Sequence, residues 1–245
     1  MNAITGNLDD YDCPRCKNKG VVYFVSETSE IRCRKCSCMS IRASMTRIRK
    51  SGLQNLLDIY TLGRFETETP LQKLMKSTAE KYLKDRSDGW FFVGGQSGAG
   101  KSHICTAIAG ELLHRGKAVR YMLWKNESTN IKAVINDGDK YDRLISPLKT
   151  VPVLYIDDLF KPVSDDHGIR RQPSSGDISL AFEILNSRYI AGPQGVTILS
   201  SEWTMEELQR IDPATAGRIF QKAKDYCISI TPGKDRNYRL RRKQE

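Results

Sequence analysis

The sequence predicts an α/β fold with a small cysteine-bearing module in front of it. Three observations carry that expectation. Short apolar runs alternate with stretches whose apolar residues recur at helical spacing. One of those runs leads into a glycine-rich loop that opens a helix. Five of the seven cysteines crowd into the span from Cys13 to Cys38. At 245 residues the chain is long enough for one α/β domain plus something small.

The front of the chain, Met1 to Asp10, is polar and acidic and does not read as a signal peptide. Cys13-Pro14-Arg15-Cys16 and Cys33-Arg34-Lys35-Cys36 form two C-x-x-C knuckles around a Val-Val-Tyr-Phe-Val run that suits a hairpin. The spacing is that of a structural zinc ribbon, with four thiolates around one Zn²⁺. Arg15, Lys17, Arg34 and Lys35 help to offset the −2 charge of such a site. Cys36-Ser37-Cys38 offers an alternative second pair that leaves Cys33 spare, and residue spacing does not choose between the two. A module this small folds only with its metal. No acidic residue occurs from Ile31 to Lys50, and Ile41, Met45 and Ile48 give Ser40 to Lys50 the pattern of a basic amphipathic helix. That helix suits nucleic acid or an acidic partner, or simply links two domains. Ser51-Gly52 breaks it, and Leu53 to Phe65 reads as a linker. The expected boundary divides a module over 1–55 from an α/β domain over 56–245.

Thr69-Pro70 is an N-cap followed by proline at the first helical position, and a helical stripe then runs to Asp88-Gly89. Trp90 to Val93 reads as a buried strand. Gly95-Gln96-Ser97-Gly98-Ala99-Gly100-Lys101-Ser102 follows it and fits G-x-x-x-x-G-K-[ST], with a helix from Ser102 to Arg115. The glycines let backbone N–H groups converge on phosphates at a helix N-terminus. Lys101 is placed to reach the β- and γ-phosphates, and Ser102 to ligate Mg²⁺. The chain is therefore expected to bind a nucleoside triphosphate.

Ala118 to Trp124 suggests a second strand, and Val151 to Ile156 a third that runs into Asp157-Asp158. An apolar strand ending in paired acids is the Walker B pattern, with Asp157 in the Mg²⁺ shell and Asp158 orienting the attacking water. Most hydrolases of this class carry Glu at the second place. Aspartate is one methylene shorter, so slow intrinsic hydrolysis is expected. Asp165 to Gly176 reads as a mobile loop, and Ile178 to Tyr189 as a helix. Gly195 to Ser201 is a fourth strand with a hydroxyl tip suited to sensing the γ-phosphate. Met205 to Leu208 starts another helix, and Tyr226 to Thr231 is a fifth strand. Arg218, alone in an apolar stretch, suits an arginine finger or a salt bridge.

Lys and Arg exceed Asp and Glu by 39 to 29, a net charge of +10 that favours a polyanionic partner over a small neutral substrate. No apolar run approaches the ~20 residues that span a bilayer, and a cytoplasmic location is expected. No N-K-x-D base-reading motif of GTPases occurs.

In this order the pieces resemble a helicase loader of the DnaC/DnaI type, in the AAA+ superfamily and its phage and prophage branch. The carriers are the front cysteines, Ser51-Gly52-Leu53, the phosphate loop, Ile156-Asp157-Asp158-Leu159, Asn186-Ser187-Arg188-Tyr189, Ser200-Ser201, Gly217-Arg218-Ile219 and Arg236-Asn237-Tyr238-Arg239. The resemblance implies a parallel five-stranded sheet with helices on both faces and ATP bound between subunits that self-assemble. It implies single-stranded DNA and a DnaB-type hexameric replicative helicase as partners, the helicase held by the zinc module. It further implies ATP and Mg²⁺ on Lys101 and Ser102, Ser201 or its neighbour as sensor 1, and Arg218 as the finger. Three departures stand out. Glu202 occupies a place where the family often has Asn, the C-terminal lid helices are missing, and sensor 2 has only Arg236 and Arg239 as candidates. The family's C-x-x-C with a later C-x-C favours Cys36 and Cys38. A transposition-accessory ATPase shares the same engine but needs no zinc module.

Overall fold

A computed structural model describes residues 4–9, 11–50, 53–85, 89–165, 169–192, 195–233 and 236–238. The Ser51-Gly52 break, Asp88 and the basic tail residues Lys234, Arg239, Arg241, Arg242 and Lys243 lie outside that set, as do the side chains of residues 47–50.

The front module is a hairpin, β1 (Val21–Val25) and β2 (Ile31–Lys35), paired antiparallel with Val21 opposite Lys35, then helix α1 (Cys38–Lys50). Leu53 to Phe65 is more than a linker, because its first half forms α2 (Leu53–Ile59). Helix α3 (Pro70–Lys84) starts as expected, at a capping box between Thr69 and Gln72 with proline in the first turn.

The main sheet has the order β4-β5-β8-β3-β9, all parallel. Its strands are β3 (Phe91–Gly95), β4 (Val119–Leu123), β5 (Val153–Leu159), β8 (Val196–Ser201) and β9 (Cys227–Ile230), each overlapping a segment expected to be a strand, with β3 and β5 running on past Val93 and Ile156. Parallel strands covered on both faces read as near-continuous apolar runs. Helix α4 (Lys101–His114) follows the glycine loop. Helices α5 (Trp124–Ala133) and α6 (Gly138–Thr150) lie between β4 and β5, where no helix was read, and Trp124 opens α5 instead of ending a strand. Helix α7 (Ser175–Ile190) is preceded by a small hairpin, β6 (Val163–Ser164) with β7 (Arg170–Arg171), whose second strand falls inside the segment expected to be a loop. Helices α8 (Met205–Ile211) and α9 (Pro213–Ala223) precede β9.

Two cores flank the sheet. One packs Ile104 and Ile108 of α4 and Met75 and Tyr82 of α3 against Phe91, Val93, Tyr155 and Ile198. The other packs Ile131, Ile145, Leu185 and Ile219 against Phe92, Leu154, Ile156 and Leu199. Ile41 of α1 belongs to the first core, so the helix that leaves the cysteine module is anchored in the sheet domain. Among the described residues no helix is long and apolar enough to cross a membrane.

Candidate functional site

The phosphate loop leaves β3 at Gly95 (φ 111°), where a Cβ would lie 2.0 Å from the Ile230 carbonyl oxygen of the neighbouring strand. Gly100 (φ 86°) is the N-cap of α4, so both positions need the backbone freedom of glycine. Lys101 is buried and turned onto its own loop, donating to the carbonyls of Gly95 (3.0 Å) and Gln96 (2.8 Å). The Ser102 hydroxyl donates to Asp157 Oδ1 at 3.1 Å. Asp157 also accepts from Ser200 and, at 3.2 Å, from the Tyr121 hydroxyl, and burial beside that carboxylate drives the Tyr121 phenol far up. A hydroxyl and a carboxylate in contact at the first turn of a helix fit the two protein ligands that Mg²⁺ takes beside bound phosphates.

Over the loop lies a cavity of about 290 Å³. Ser97, Lys101, Ser102, Asp158, Lys161 and Glu202 form its polar end, while Tyr60, Phe65 and His103 line the other. His103 stacks on Tyr60 (4.7 Å between centroids), meets Phe65 edge-on (5.0 Å) and bonds to the Thr61 carbonyl at 2.9 Å. Burial outweighs that bond and the nearby Glu66 charge, so the imidazole is held below its ordinary value and stays neutral. The segment read as a linker therefore forms one wall of the site.

The C-terminal segment closes over the same loop. Gly233 N–H donates to Gln96 Oε1 at 2.7 Å, and Tyr238 N–H donates to the Gly98 carbonyl at 3.0 Å. The Tyr238 hydroxyl meets Thr69 Oγ1 at 2.9 Å, and Asn237 lies so close to Gly98 that a Cβ there would be 2.0 Å from Asn237 Oδ1. Arg236, one of two sensor-2 candidates, is turned away onto Thr231.

Ser201 and Arg218 both have their polar atoms engaged by local partners. Ser201 is fully buried, donates to the Leu159 carbonyl at 2.8 Å and accepts from Trp203 N–H, so its hydroxyl is committed away from the cavity. Of its neighbours, Ser200 bonds Asp157 and accepts from the Asp158 N–H at 2.9 Å, and Glu202 lines the cavity. The one-residue offset follows from strand alternation, which a hydroxyl pair at a strand end does not reveal. Arg218 is half-buried on α9 and is not among the residues lining the cavity. It donates to Asn186 Oδ1 (2.9 Å) and the Ala214 carbonyl (2.8 Å) and lies over the Phe182 ring.

In the front module the Sγ atoms of Cys13, Cys16, Cys36 and Cys38 all lie within 4.8 Å of one another, and all four residues are buried. Cys13 and Cys36 are 3.8 Å apart, and Cys16 and Cys38 are 3.5 Å apart. Zn–S bonds of ~2.3 Å in a tetrahedron space sulfurs by about 3.8 Å, so the donor set fits zinc. Cys33 is exposed and outside the cluster. It pairs with Tyr23 in the ladder, which keeps the chain extended through Lys35. That ladder prevents the turn a Cys33/Cys36 knuckle would need. The first knuckle turns through left-handed Lys17, Asn18 and Gly20, and the Gly20 N–H donates to Cys16 Sγ at 3.4 Å. Burial opposes ionisation of Cys16, yet that N–H and the neighbouring thiols bring it down to about 6. Burial and Cys16 push Cys38 up, against the pull of Arg42. Arg42, one of the basic residues of the acid-free stretch from Ile31 to Lys50, is a buried cation beside this cluster. Buried on α1, it donates to the Tyr11 carbonyl and, at 2.9 Å, to Asn18 Oδ1.

The family model described as "IstB-like ATP binding protein" matches residues 41–245. Phage-like element PBSX protein XkdC of Bacillus subtilis (strain 168) is 31% identical over 229 residues, which take in 90% of this chain and 82% of that protein. The replicative helicase loader DnaC of Escherichia coli (strain K12) is 29% identical over 113 residues, 45% of this chain and 46% of the loader. The crystal structure of DnaI superposes with a TM-score of 0.55 at 19% identity, over 73% of this chain and 93% of that one. AMPPCP-bound DnaA from Aquifex aeolicus superposes with a TM-score of 0.54 at 21% identity over 70% of this chain, which spans about half (49%) of the initiator's length. The structural matches show that the α/β fold is shared with DnaI and DnaA. With the phosphate loop, the paired acids and the hydroxyl-tipped strand gathered at one end of a parallel sheet, the chain belongs to the IstB/DnaC-type AAA+ family of ATP-binding proteins.

Proposed function

We propose that this protein is an ATP-dependent loader that delivers a hexameric replicative helicase of the DnaB type onto single-stranded DNA. The carrying observation is the joint between its two halves. Helix α1 begins at Cys38, one of the four clustered thiols, and three residues later buries Ile41 in the core of the nucleotide domain. A partner held by a zinc-bearing module over 1–55 is thereby coupled to the state of an ATP domain over 56–245. The relative from Escherichia coli, a replicative helicase loader by name, supports the same reading.

In this reading Lys101, Ser97 and the loop N–H groups hold the triphosphate, and Ser102 and Asp157 hold Mg²⁺, which supplies charge neutralisation when bound. The protein is then an ATPase of slow intrinsic turnover, with Asp158 and its neighbours at the γ-phosphate. Arg218 completes a neighbouring copy's site only after giving up its bond to Asn186, so assembly and that release are linked. The net charge of +10 supports contact with the DNA backbone.

A second reading, an accessory ATPase of DNA transposition, draws on the IstB-like family itself, which includes such helpers. Native mass spectrometry of the protein with its host's replicative helicase, in ATP and Mg²⁺, separates the two. A discrete complex of helicase hexamer with several copies of this chain is expected for the loader. No association under any nucleotide condition overturns the loader reading and leaves the transposition reading in front.

A further inference from the structure

We propose that Glu202, at the tip of the sensor strand β8, is the carboxylate that orients and deprotonates the attacking water during ATP hydrolysis, in place of the glutamate missing at Asp158. The inference rests on the ATPase reading above and assigns the role within it.

The Walker B strand brings Asp158 to the cavity in a constrained conformation. The β5–β8 ladder shifts register between Ile156 and Leu159, and Asp158 has left-handed backbone (φ 56°), pinned by its N–H to Ser200. Non-glycine residues seldom adopt that conformation. It turns the short Asp158 side chain to Lys161, which it meets at 3.0 Å. The same Lys161 ammonium bridges to Glu202 at 2.5 Å. Both acids line the cavity, but Glu202 is the more enclosed, its side chain 17% exposed against 23% for Asp158.

Glu202 is also the carboxylate tied to the phosphate loop. Burial disfavours its charge, yet the Lys161 ammonium, then Lys101 and the Ser97 hydroxyl, more than offset burial and hold its carboxyl below the usual glutamate range. Its backbone is fixed from both sides. Arg170 donates to the Glu202 carbonyl and lies over the Trp203 ring at 3.9 Å, while Trp203 Nε1 donates to the Phe160 carbonyl at 2.7 Å. A charged acceptor on a rigid backbone beside the lysine that reaches the γ-phosphate can hold an attacking water by its hydrogen and orient it.

In the step itself the water oxygen bonds to the γ-phosphorus as the bond from that phosphorus to the β–γ bridging oxygen breaks. The water proton passes to Glu202 and is then lost to solvent, and ADP and inorganic phosphate leave. Lys161 is a positioning residue that holds both acids until nucleotide enters.

The test is phosphate release by the full-length protein with single-stranded DNA and the host helicase, alongside equilibrium binding of a fluorescent ADP analogue. Glu202→Gln is expected to lower kcat by roughly 100-fold, with KM for ATP and analogue affinity within about twofold of wild type. Glu202→Asp, which keeps the carboxylate, is expected to retain part of the turnover, and Asp158→Asn to lose less than Glu202→Gln. A Glu202→Gln variant that turns over at the wild-type rate overturns the assignment while leaving the ATPase reading intact. The assignment is equally overturned if analogue affinity falls in step with kcat, because Glu202 then only builds the site. A wild-type protein that never releases phosphate while still binding the analogue defeats the ATPase reading, and the role of Glu202 with it.

Discussion

At the scale of single residues, the chemistry of this protein turns on which side chains are buried with partners. Cys33 and Cys38 make the simplest case. Cys38→Ser removes a buried member of the four-thiol cluster, whereas Cys33→Ser touches an exposed strand position. Zinc content measured by mass spectrometry is expected to stay at one per chain for Cys33→Ser and to fall below it for Cys38→Ser. Equal loss in both variants would contradict the geometry. Arg188 is the other instructive residue. It is fully buried with no acidic partner among the described residues, its charge spread over the carbonyls of Leu148, Lys149 and Val151 at the end of α6, the Val196 carbonyl and the Thr197 hydroxyl. Burial alone lowers its pKa to about 10, so it stays charged at neutral pH. Arg188→Met strands several buried acceptors at about 1–3 kcal/mol each. A loss of about 3 kcal/mol or more in denaturant midpoint experiments is expected, with m unchanged.

At the scale of elements, the entrance to α3 binds two distant parts of the chain. Thr69 caps the helix by accepting from Gln72 N–H, and its hydroxyl also meets Tyr238 of the C-terminal segment. Thr69→Ala is expected to lower stability by about 1 kcal/mol for the cap and to loosen the C-terminal segment. Faster hydrogen exchange at the Tyr238 amide, which bonds the Gly98 carbonyl, is the readout, and an unchanged amide would show that the hydroxyl contact is idle. The wall formed by α2 and the turn after it gives a pH dependence. The folded protein resists protonating His103, whose pKa lies below its ordinary 6.5. The unfolded chain therefore binds the extra proton first as pH falls, and stability declines from pH 6.5 downward until the folded form also protonates. His103→Asn is expected to flatten that decline in thermal melts between pH 7 and pH 5, and a slope unaffected by the substitution would point to other groups.

At the scale of the whole molecule, a two-stranded hairpin with every β2 residue exposed has little apolar surface of its own to bury. Chelation of the zinc that its four buried thiols fit is expected to remove exchange protection across Val21–Lys35 while the main sheet keeps its protection. Retained hairpin protection would mean that the module is held by its neighbours instead. Much of this organisation was legible in the chain. The phosphate loop, the apolar strands with their acid and hydroxyl ends, the Thr69-Pro70 helix start and the cysteine cluster are local patterns whose chemistry depends on spacing along the backbone. The missed pieces are of another kind. Helices α5 and α6 have apolar faces that gain meaning only against the sheet, and α2 was masked by its scattered apolar residues. The offset between Ser201 and Glu202 depends on how β8 alternates beside β5. Arg42 and Lys161 are ordinary polar residues in sequence, Arg188 and Tyr238 stand out there only through the resemblance, and each acquires its role from a partner far along the chain. By itself the sequence determined that this protein carries a nucleotide loop in an α/β domain behind a thiol-rich module, because those features follow from backbone conformation and residue periodicity. Only the tertiary structure decided which four thiols meet, which acids face the phosphate loop and which segments wall the cavity, because those are contacts between residues that sequence distance keeps apart.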